Sequence, residues 1–353
     1  MPADAVDTLG GSSVHRVYGD GMKFGLWYDF RNPASAGRSN AELYAATLDQ
    51  IVRAEELGFD DIWLSEHHFI DDGYLPSCLP MAAAIAARTT RVTIGTNVLL
   101  MPFHDPVRLA EDCAVVDIIS NGRFIFGPAV GYRLEEFATF NVNRSHRGSI
   151  TEEAVEIMRK CWTEDEFSFH GRHFHYDNVR CTPKPVQRPI PVWIGATAGE
   201  ALRRAARIGD GLLGGGPARA DYVEHLREYG KDTEHPAIAS TAQWLFCSDD
   251  PERDWTVLRP HALYQLQNYA SWFKAAGQPA FGDPPVDEAD LESRGLYLCG
   301  TPAQIIDAIR AAHAAAPFDR HFFWAVWPGV DPAMASASIE LFAREVIPAL
   351  RDL

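Results

Sequence analysis

From Lys23 onward the chain alternates short β-rich runs with amphipathic helical runs, and this alternation confines it to a few layered α/β architectures. "KFGLWY" reads as a strand, and "NAELYAATLDQIVRAEELG" as a helix with Asn40 as N-cap and Gly58 as C-cap. The strand "DIWLS", the helix "LPMAAAIAARTT", the strand "RVTIGTNVLL", the helix "PVRLAEDCAVVDIIS" and the strand "RFIFGPAV" follow, then a helix from Ser149 to Trp162. Pro106 and Asn121-Gly122 stand where a helix start and a helix end are expected. After Trp162, "FSFHGRHFHYDNVRCTPKPVQRP" alternates aromatic and polar residues around Gly171 and ends Pro-rich, which predicts an inserted hairpin. "PVWIG", "DGLLGG", "IASTAQWLFC" and "HFFWAVW" complete the strands. "GEALRRAARIG", "ARADYVEHLREYG", "TPAQIIDAIRAAHA" with Thr301 as cap, and "ASASIELFAREVIPAL" complete the helices. Residues 251–295 hold prolines and aromatics without a clean period and read as a second, partly helical insertion.

Eight strand candidates interleave with a similar number of helices and no linker divides them. They predict one α/β domain over residues 22–353, a (β/α)8 TIM barrel with insertions near 165–190 and 251–295. A doubly wound sheet is the alternative, but it wants a Gly-rich phosphate loop after the first strand, and "LWYDFRNPAS" has none. A length of 353 residues with 46% hydrophobic content is enough for the core of such a barrel. The first 21 residues contain no apolar run long enough for a signal peptide and read as a flexible leader. No uninterrupted apolar stretch approaches the roughly 20 residues of a membrane helix.

Cysteines at 78, 113, 161, 181, 247 and 299 are widely spaced without a CxxC pair. They read as reduced core thiols and place the chain in the cytoplasm. Lys plus Arg number 32 against 48 Asp plus Glu, a formal charge of −16, which argues against nucleic acid or an anionic membrane as a main partner. A phosphate-bearing ligand remains compatible, because a helix terminus can bind an anion inside an acidic protein.

In such a barrel, ligands meet the C-terminal ends of the strands. Trp27 and Tyr28 stand after the first strand, and Glu66, His67, His68 and Phe69 after the second. Asn97 lies late in the third, with Met101, Phe103 and His104 beyond it. Ala129, Gly131, Tyr132 and Arg133 follow the fourth; Gly195, Ala196 and Thr197 the fifth; Gly214 to Gly216 the sixth; Trp327 the eighth. The lining is aromatic and hydrogen-bonding with few carboxylates, which suits a flat, partly apolar ligand. "WIGATAGEALRRAA" leaves free amides at a helix start beside the Thr197 hydroxyl. It reads either as an anion site or as an ordinary turn with Thr197 as N-cap.

Two adjacent histidines cannot both point into one pocket from a regular strand, and neither an HExxH motif nor a carboxylate pair supports a metal there. His173 and His175 of the hairpin would share a strand face, a conceivable zinc pair that reads more simply as exposed histidines. His67 is either a general acid/base or donor to a ligand oxygen, or a strand-end residue bonded to a neighbouring carboxylate such as Glu66.

"LGFDDIWLSEHHF" is similar to the second-strand segment of bacterial-luciferase-like flavin monooxygenases, which carry a Glu-His-His-Phe run there. "IGTNVLLMPFHDPVRLAEDCAVVDIISNGRFIFGPAVGYRLEEF" resembles the third strand, third helix and fourth strand of the same family. "PKPVQRPIPVWIG", "WPGVDP" and "SIELFAREVIPALR" are similar to its non-luminescent members, so the resemblance runs in order from Lys23 to Leu350. It implies a barrel that binds FMN at the strand C-termini, supplied reduced by a separate flavin reductase. The reduced flavin reacts with oxygen to a 4a-hydroperoxide, which oxygenates a small substrate such as an aldehyde or ketone. The resemblance assigns catalysis to His67 and the flavin ring to Asn97 and Ala129, with Gly131, Tyr132 and Gly195 nearby. It gives the phosphate to Ala196, Thr197 and Ala198, and a homodimer as the assembly. Where luciferase has an Arg and a Glu near the phosphate, this chain has Val130 and Ala196, so Tyr132, Arg133 or Arg147 would contribute instead. Trp27, His68, Phe69, Phe103 and Trp327 would close the substrate pocket. A deazaflavin-dependent hydride-transfer enzyme and a non-catalytic flavin-binding protein are the alternatives.

Overall fold

The computed structural model describes residues 21–216, 218–278 and 280–353. The leader expected over 1–21 lies, save Gly21, outside the described residues. Eight parallel strands form the barrel: β1 (Lys23–Tyr28), β2 (Asp61–Leu64), β3 (Thr93–Thr96), β4 (Phe124–Ile125), β5 (Trp193–Gly195), β6 (Gly211–Leu213), β7 (Ile238–Cys247) and β8 (Arg320–Trp324). Their order is β4-β3-β2-β1-β8-β7-β6-β5, and a bridge between Phe126 and Val192 joins β4 to β5. The helices are α1 (Asn40–Glu56), α2 (Cys78–Arg88), α3 (Pro106–Ser120), α4 (Arg147–Thr163), α5 (Gly199–Ile208), α6 (Ala218–Glu228), α7 (Pro251–Ala275), α8 (Pro302–Ala315) and α9 (Pro332–Leu341).

Capping chemistry sets several boundaries. Ser39, one residue before the expected Asn40, caps α1 in a reciprocal pair with Glu42. Asp105 accepts from Arg108 at the start of α3, with Pro106 in its first turn, and Asn121 ends the helix in the left-handed conformation. Thr301 and Gln304 form a second reciprocal cap on α8.

The strands distribute their side chains with period two between two cores. Phe24, Leu26, Ile62, Ile94, Ile194, Leu212 and Phe323 face the helices. Trp27, Trp63, Trp193, Leu213, Phe322 and Trp324 fill the barrel or cap it. Inside, large residues fit against glycines: a Cβ on Gly95 would come 2.3 Å from the Trp63 ring, and one on Gly211 2.6 Å from that of Trp193. Trp63 stacks on Phe322 with centroids 5.1 Å apart, and below them Arg320 pairs with Asp61. This is a packed interior rather than a pore.

One outward position of β8 carries a pH cost. His321 is 1% exposed between Phe24 and Phe318, neither ring nitrogen finds a partner among the described residues, and burial pushes its pKa down to about 4. The unfolded chain therefore binds a proton near the ordinary value of 6.5 that the folded protein refuses until about pH 4. Stability should fall as pH drops through that window, by about 3 kcal/mol for this residue at the acid end. Replacing His321 with Leu should flatten the slope of urea-unfolding free energy between pH 6.5 and 4; an unchanged slope would acquit His321.

The first insertion is an antiparallel hairpin, Phe167–His170 with His175–Val179. His173 sits in its turn, not on the strand, so it shares no strand face with His175. It bonds instead to the Ser149 hydroxyl at 2.7 Å. The second insertion is more ordered than its sequence suggests. It comprises the 25-residue α7, a short helix Glu288–Ser293, and a strand Tyr297–Gly300 that pairs with the upper half of β7. No helix among the described residues is long and apolar enough to cross a membrane.

Candidate active site

Two carboxylates organise the loops after β2 and β4. Residues two apart on an extended chain face the same side, so Glu66 pairs with His68 and not with the intervening His67. Oε1 of Glu66 lies 2.7 Å from Nε2 of His68 and 2.9 Å from Nε2 of His104, and its Oε2 accepts the Leu100 amide at 2.8 Å. Burial alone would raise the Glu66 carboxyl, but these bonds outweigh it and hold its pKa at about 2. For His104, burial opposes the charged form, yet the bond to Glu66 raises its pKa overall.

His67 turns the other way. Its Nδ1 lies 2.8 Å from Oε1 of Glu136, which also accepts the His68 amide at 2.9 Å. Glu136 is fully buried on the short helix Leu134–Thr139 and has Arg133 Nη1 at 3.4 Å. An ionised carboxylate only accepts, so Nδ1 of His67 carries a proton and Nε2 faces the Tyr132 hydroxyl at 3.1 Å. The carboxylate partner that one of the two readings of His67 offered is thus Glu136 rather than Glu66. Sequence reading passed over Glu136, which stands on the short helix that begins two residues after Tyr132.

α7 roofs this site. Trp272 packs on the His67 ring at 5.7 Å, Phe273 stacks on Tyr132 at 4.1 Å, and the Tyr269 hydroxyl lies 3.0 Å from that of Tyr74. Tyr264 donates to Asp72, which also binds Arg31 at 2.7 Å; Arg31 is wholly buried under the rings of Tyr74, Tyr264, Tyr269 and Trp272. Burial raises the nearby Asp29 carboxyl to about 6 against the pull of Arg31. The sequence shows a partly helical insertion here but not which residues form the roof, because a helix this long, with Pro260 inside it, gives no sharp apolar stripe.

The other expected residues fall into separate groups. Trp27 stacks on Trp324 at 3.7 Å at the top of the barrel, and Trp324 on Trp244 at 5.4 Å. Trp327 is buried beside Tyr297 and Phe246, one layer behind. His68, Phe69 and Phe103 gather with Phe140 in an outer rim cluster, where Phe69 is 54% exposed. Among the described residues no ring contact links this cluster to Trp27. Tyr132 and Arg133 each have a partner in the site: the Tyr132 hydroxyl lies 3.1 Å from His67 Nε2, and Arg133 donates to the His68 carbonyl.

Asn97 ends β3 buried at 4%, and its Nδ2 finds no acceptor among the described residues. Ala129 closes a two-residue ladder with Leu100, and Gly131 turns the chain with a positive φ into Tyr132. At the end of β5, a Cβ on Gly195 would meet Val98 at 2.6 Å, and one on Gly214 would meet the Ala196 carbonyl at 2.0 Å. The turns after β5 and β6 thus stack backbone on backbone. Ala198, not Thr197, is the N-cap of α5 and makes no side-chain cap bond, so that the Gly199 and Glu200 amides start the helix without a cap beside the exposed Thr197. Arg147, at the start of α4, donates to the Arg144 carbonyl, and its pKa is lowered by burial and by Arg144 and Arg204. A buried donor amide and a helix start without a side-chain cap fit a flat ligand with carbonyl edges and an anionic tail, features of a flavin-type cofactor.

The sequence profile of luciferase-like monooxygenases matches residues 22–318. The chain belongs to this family. The first curated relatives it matches align over about half their length, as for an uncharacterized protein y4vJ of Sinorhizobium fredii, 31% identical over 50% of each chain. An F420-dependent glucose-6-phosphate dehydrogenase of Kineococcus radiotolerans is 32% identical over 89% of this chain and 96% of its own. The oxygenase component of a flavin-dependent trigonelline monooxygenase from Acinetobacter baylyi is 23% identical over 94% and 96%. Among solved structures, the monooxygenase RslO1 of Streptomyces bottropensis superposes with a TM-score of 0.78 at 24% identity, over 93% of this chain and 99% of that one.

Proposed function

We propose that the protein is a flavin-dependent monooxygenase that uses reduced FMN and oxygen on a small organic substrate such as an aldehyde or ketone. A separate reductase would supply the flavin. The observation that carries this reading is the enclosure of His67, a proton-handling group 5% exposed under the aromatic roof of α7, since oxygen activation at a flavin must be shielded from water. Bound at the mouth, reduced FMN would supply the electrons that activate oxygen. Asn97 Nδ2 would donate to a ring carbonyl, and the α5 amides with Thr197 would take the phosphate, with Arg147 as the nearby cation. Trp27 and Trp324 would wall the substrate side. A homodimer belongs to the proposal, supported by the exposed Val115, Ile118 and Ile119 on one face of α3. A second reading, hydride transfer with a deazaflavin, is favoured by the likeness to the F420-dependent dehydrogenases.

Anaerobic titration with reduced FMN and with reduced deazaflavin, then mixing with air-saturated buffer, separates the two. Tight FMN binding followed by oxygen consumption is expected; preferential deazaflavin binding that is inert to oxygen would select hydride transfer. Thr197→Val should weaken FMN more than riboflavin, because only FMN carries the phosphate. Equal losses for both would place the phosphate elsewhere.

A further inference from the structure

We propose that Tyr132, rather than His67 itself, exchanges the proton with the bound ligand, as the outer end of a fixed Glu136–His67–Tyr132 chain. This rests on the reading that the mouth takes a flavin and a small substrate, and it names the residue that serves them. Both nitrogens of His67 are committed, Nδ1 to Glu136 at 2.8 Å and Nε2 to the Tyr132 hydroxyl at 3.1 Å. The faces and edges of the imidazole are walled by Tyr74 at 4.9 Å, Tyr132 at 5.3 Å and Trp272 at 5.7 Å. A proton leaving the ring can pass to Glu136, which is 0% exposed, or to Tyr132, which retains partial exposure. Only the second leads outward.

Phe273 stacks on the Tyr132 ring nearly parallel, at 15°, and fixes the direction of the hydroxyl. A phenol oxygen can accept from one partner while donating to another, so it can stand between imidazole and ligand. In the acid direction, the Tyr132 O–H bond breaks as its proton passes to an oxyanion on the ligand, and the Nε2–H bond of the imidazolium breaks to restore the phenol. The result is neutral His67 with its proton still on Nδ1, donated to Glu136. In the base direction, Tyr132 takes the ligand's proton as its own moves to Nε2. One proton moves each way and no electron is transferred. Burial raises the Tyr132 phenol well above its ordinary range, so it stays protonated at neutral pH and works as a conduit, not as a standing phenolate.

A merely structural Tyr132 would orient the imidazole and nothing more, and two variants distinguish the cases. Tyr132→Phe keeps the stacked ring and removes the hydroxyl; a ring-fluorinated tyrosine at 132 keeps both but makes the phenol more acidic. Reoxidation of protein-bound reduced FMN in air-saturated buffer is followed against pH, in water and in deuterium oxide, with nitrogen-15 NMR of the histidine side chains alongside. The fluorinated protein is expected to keep the wild-type His67 nitrogen signals while the alkaline limb of its rate profile moves to lower pH. Tyr132→Phe should bind reduced FMN as the wild type does yet lose about tenfold or more in the proton-dependent phase and its solvent isotope effect. A fluorinated profile superimposed on the wild type, or an unchanged phase in Tyr132→Phe, overturns the proposal. Failure of the wild-type protein to bind either reduced flavin removes the functional reading and this proposal with it, and shows in the titration before any profile is recorded.

Discussion

Arg320→Met is expected to lower the unfolding free energy by about 3–5 kcal/mol, measured from urea titrations at neutral pH. Arg320 meets Asp61 in the floor of the barrel, with side chains 4% and 0% exposed, and its guanidinium lies over the Trp193 ring at 5.4 Å. Burial raises the Asp61 carboxyl even with the guanidinium beside it. Methionine keeps much of the bulk but removes the countercharge, leaving a carboxylate that water cannot reach. The sign against pH follows. A carboxyl raised above its unfolded value is tolerated below that value, where it is neutral, and penalised as pH rises through it. The gap between wild type and variant should therefore be wider at pH 8 than at pH 4. Replacing both partners, Asp61→Leu with Arg320→Met, should recover most of the loss, because it is the isolated charge and not the missing pair that costs stability. A double variant no more stable than Arg320→Met would place the damage in packing.

The barrel was legible because its two signals are local. Period-two burial assigns Phe24 and Leu26 to one core and Trp27 to the other, and turn chemistry at Asp105, Asn121 and Thr301 sets helix ends wherever the flanking sequence is short and regular. Much of the site was legible for the same reason: strand ends place His67, Asn97 and Thr197 on one side of the barrel. What escaped depends on separation along the chain. His67 and Glu136 are 69 residues apart, and Tyr74 and Tyr269 are 195 apart, so no periodicity links them. The strand at Tyr297–Gly300 was hidden because it finds its partner in the extended upper half of β7, a length that only the assembled sheet reveals. The parity between Glu66 and His68, by contrast, was available in the sequence and points to the pairing that the structure shows.

Glu136 should be the most consequential position at the mouth, and its two substitutions should fail differently. Its Oε1 serves His67 Nδ1, the His68 amide and Arg133, all inside a site from which solvent is excluded. Glu136→Ala withdraws that acceptor and leaves the Arg133 guanidinium, 6% exposed, with the His68 carbonyl and, as its remaining carboxylate among the described residues, the exposed Glu135 at 3.8 Å. A loss of about 3 kcal/mol or more is expected in urea titration, since a buried donor and a buried charge are stranded together. Glu136→Gln keeps an acceptor oxygen and the shape, so it should lose less stability and still bind reduced FMN. It removes the negative charge that supports an imidazolium at His67, however, and its amide can turn a donor toward Nδ1 and reverse the ring's tautomer. The proton-dependent step should then slow by about 100-fold or more, while flavin affinity stays near wild type. Nitrogen-15 spectra of the His67 ring would show the exchange of protonated nitrogen directly. A Glu136→Gln protein with wild-type spectra and wild-type rate would reduce the carboxylate to a packing group, whereas loss of rate with retained flavin affinity makes it the anchor of the proton chain.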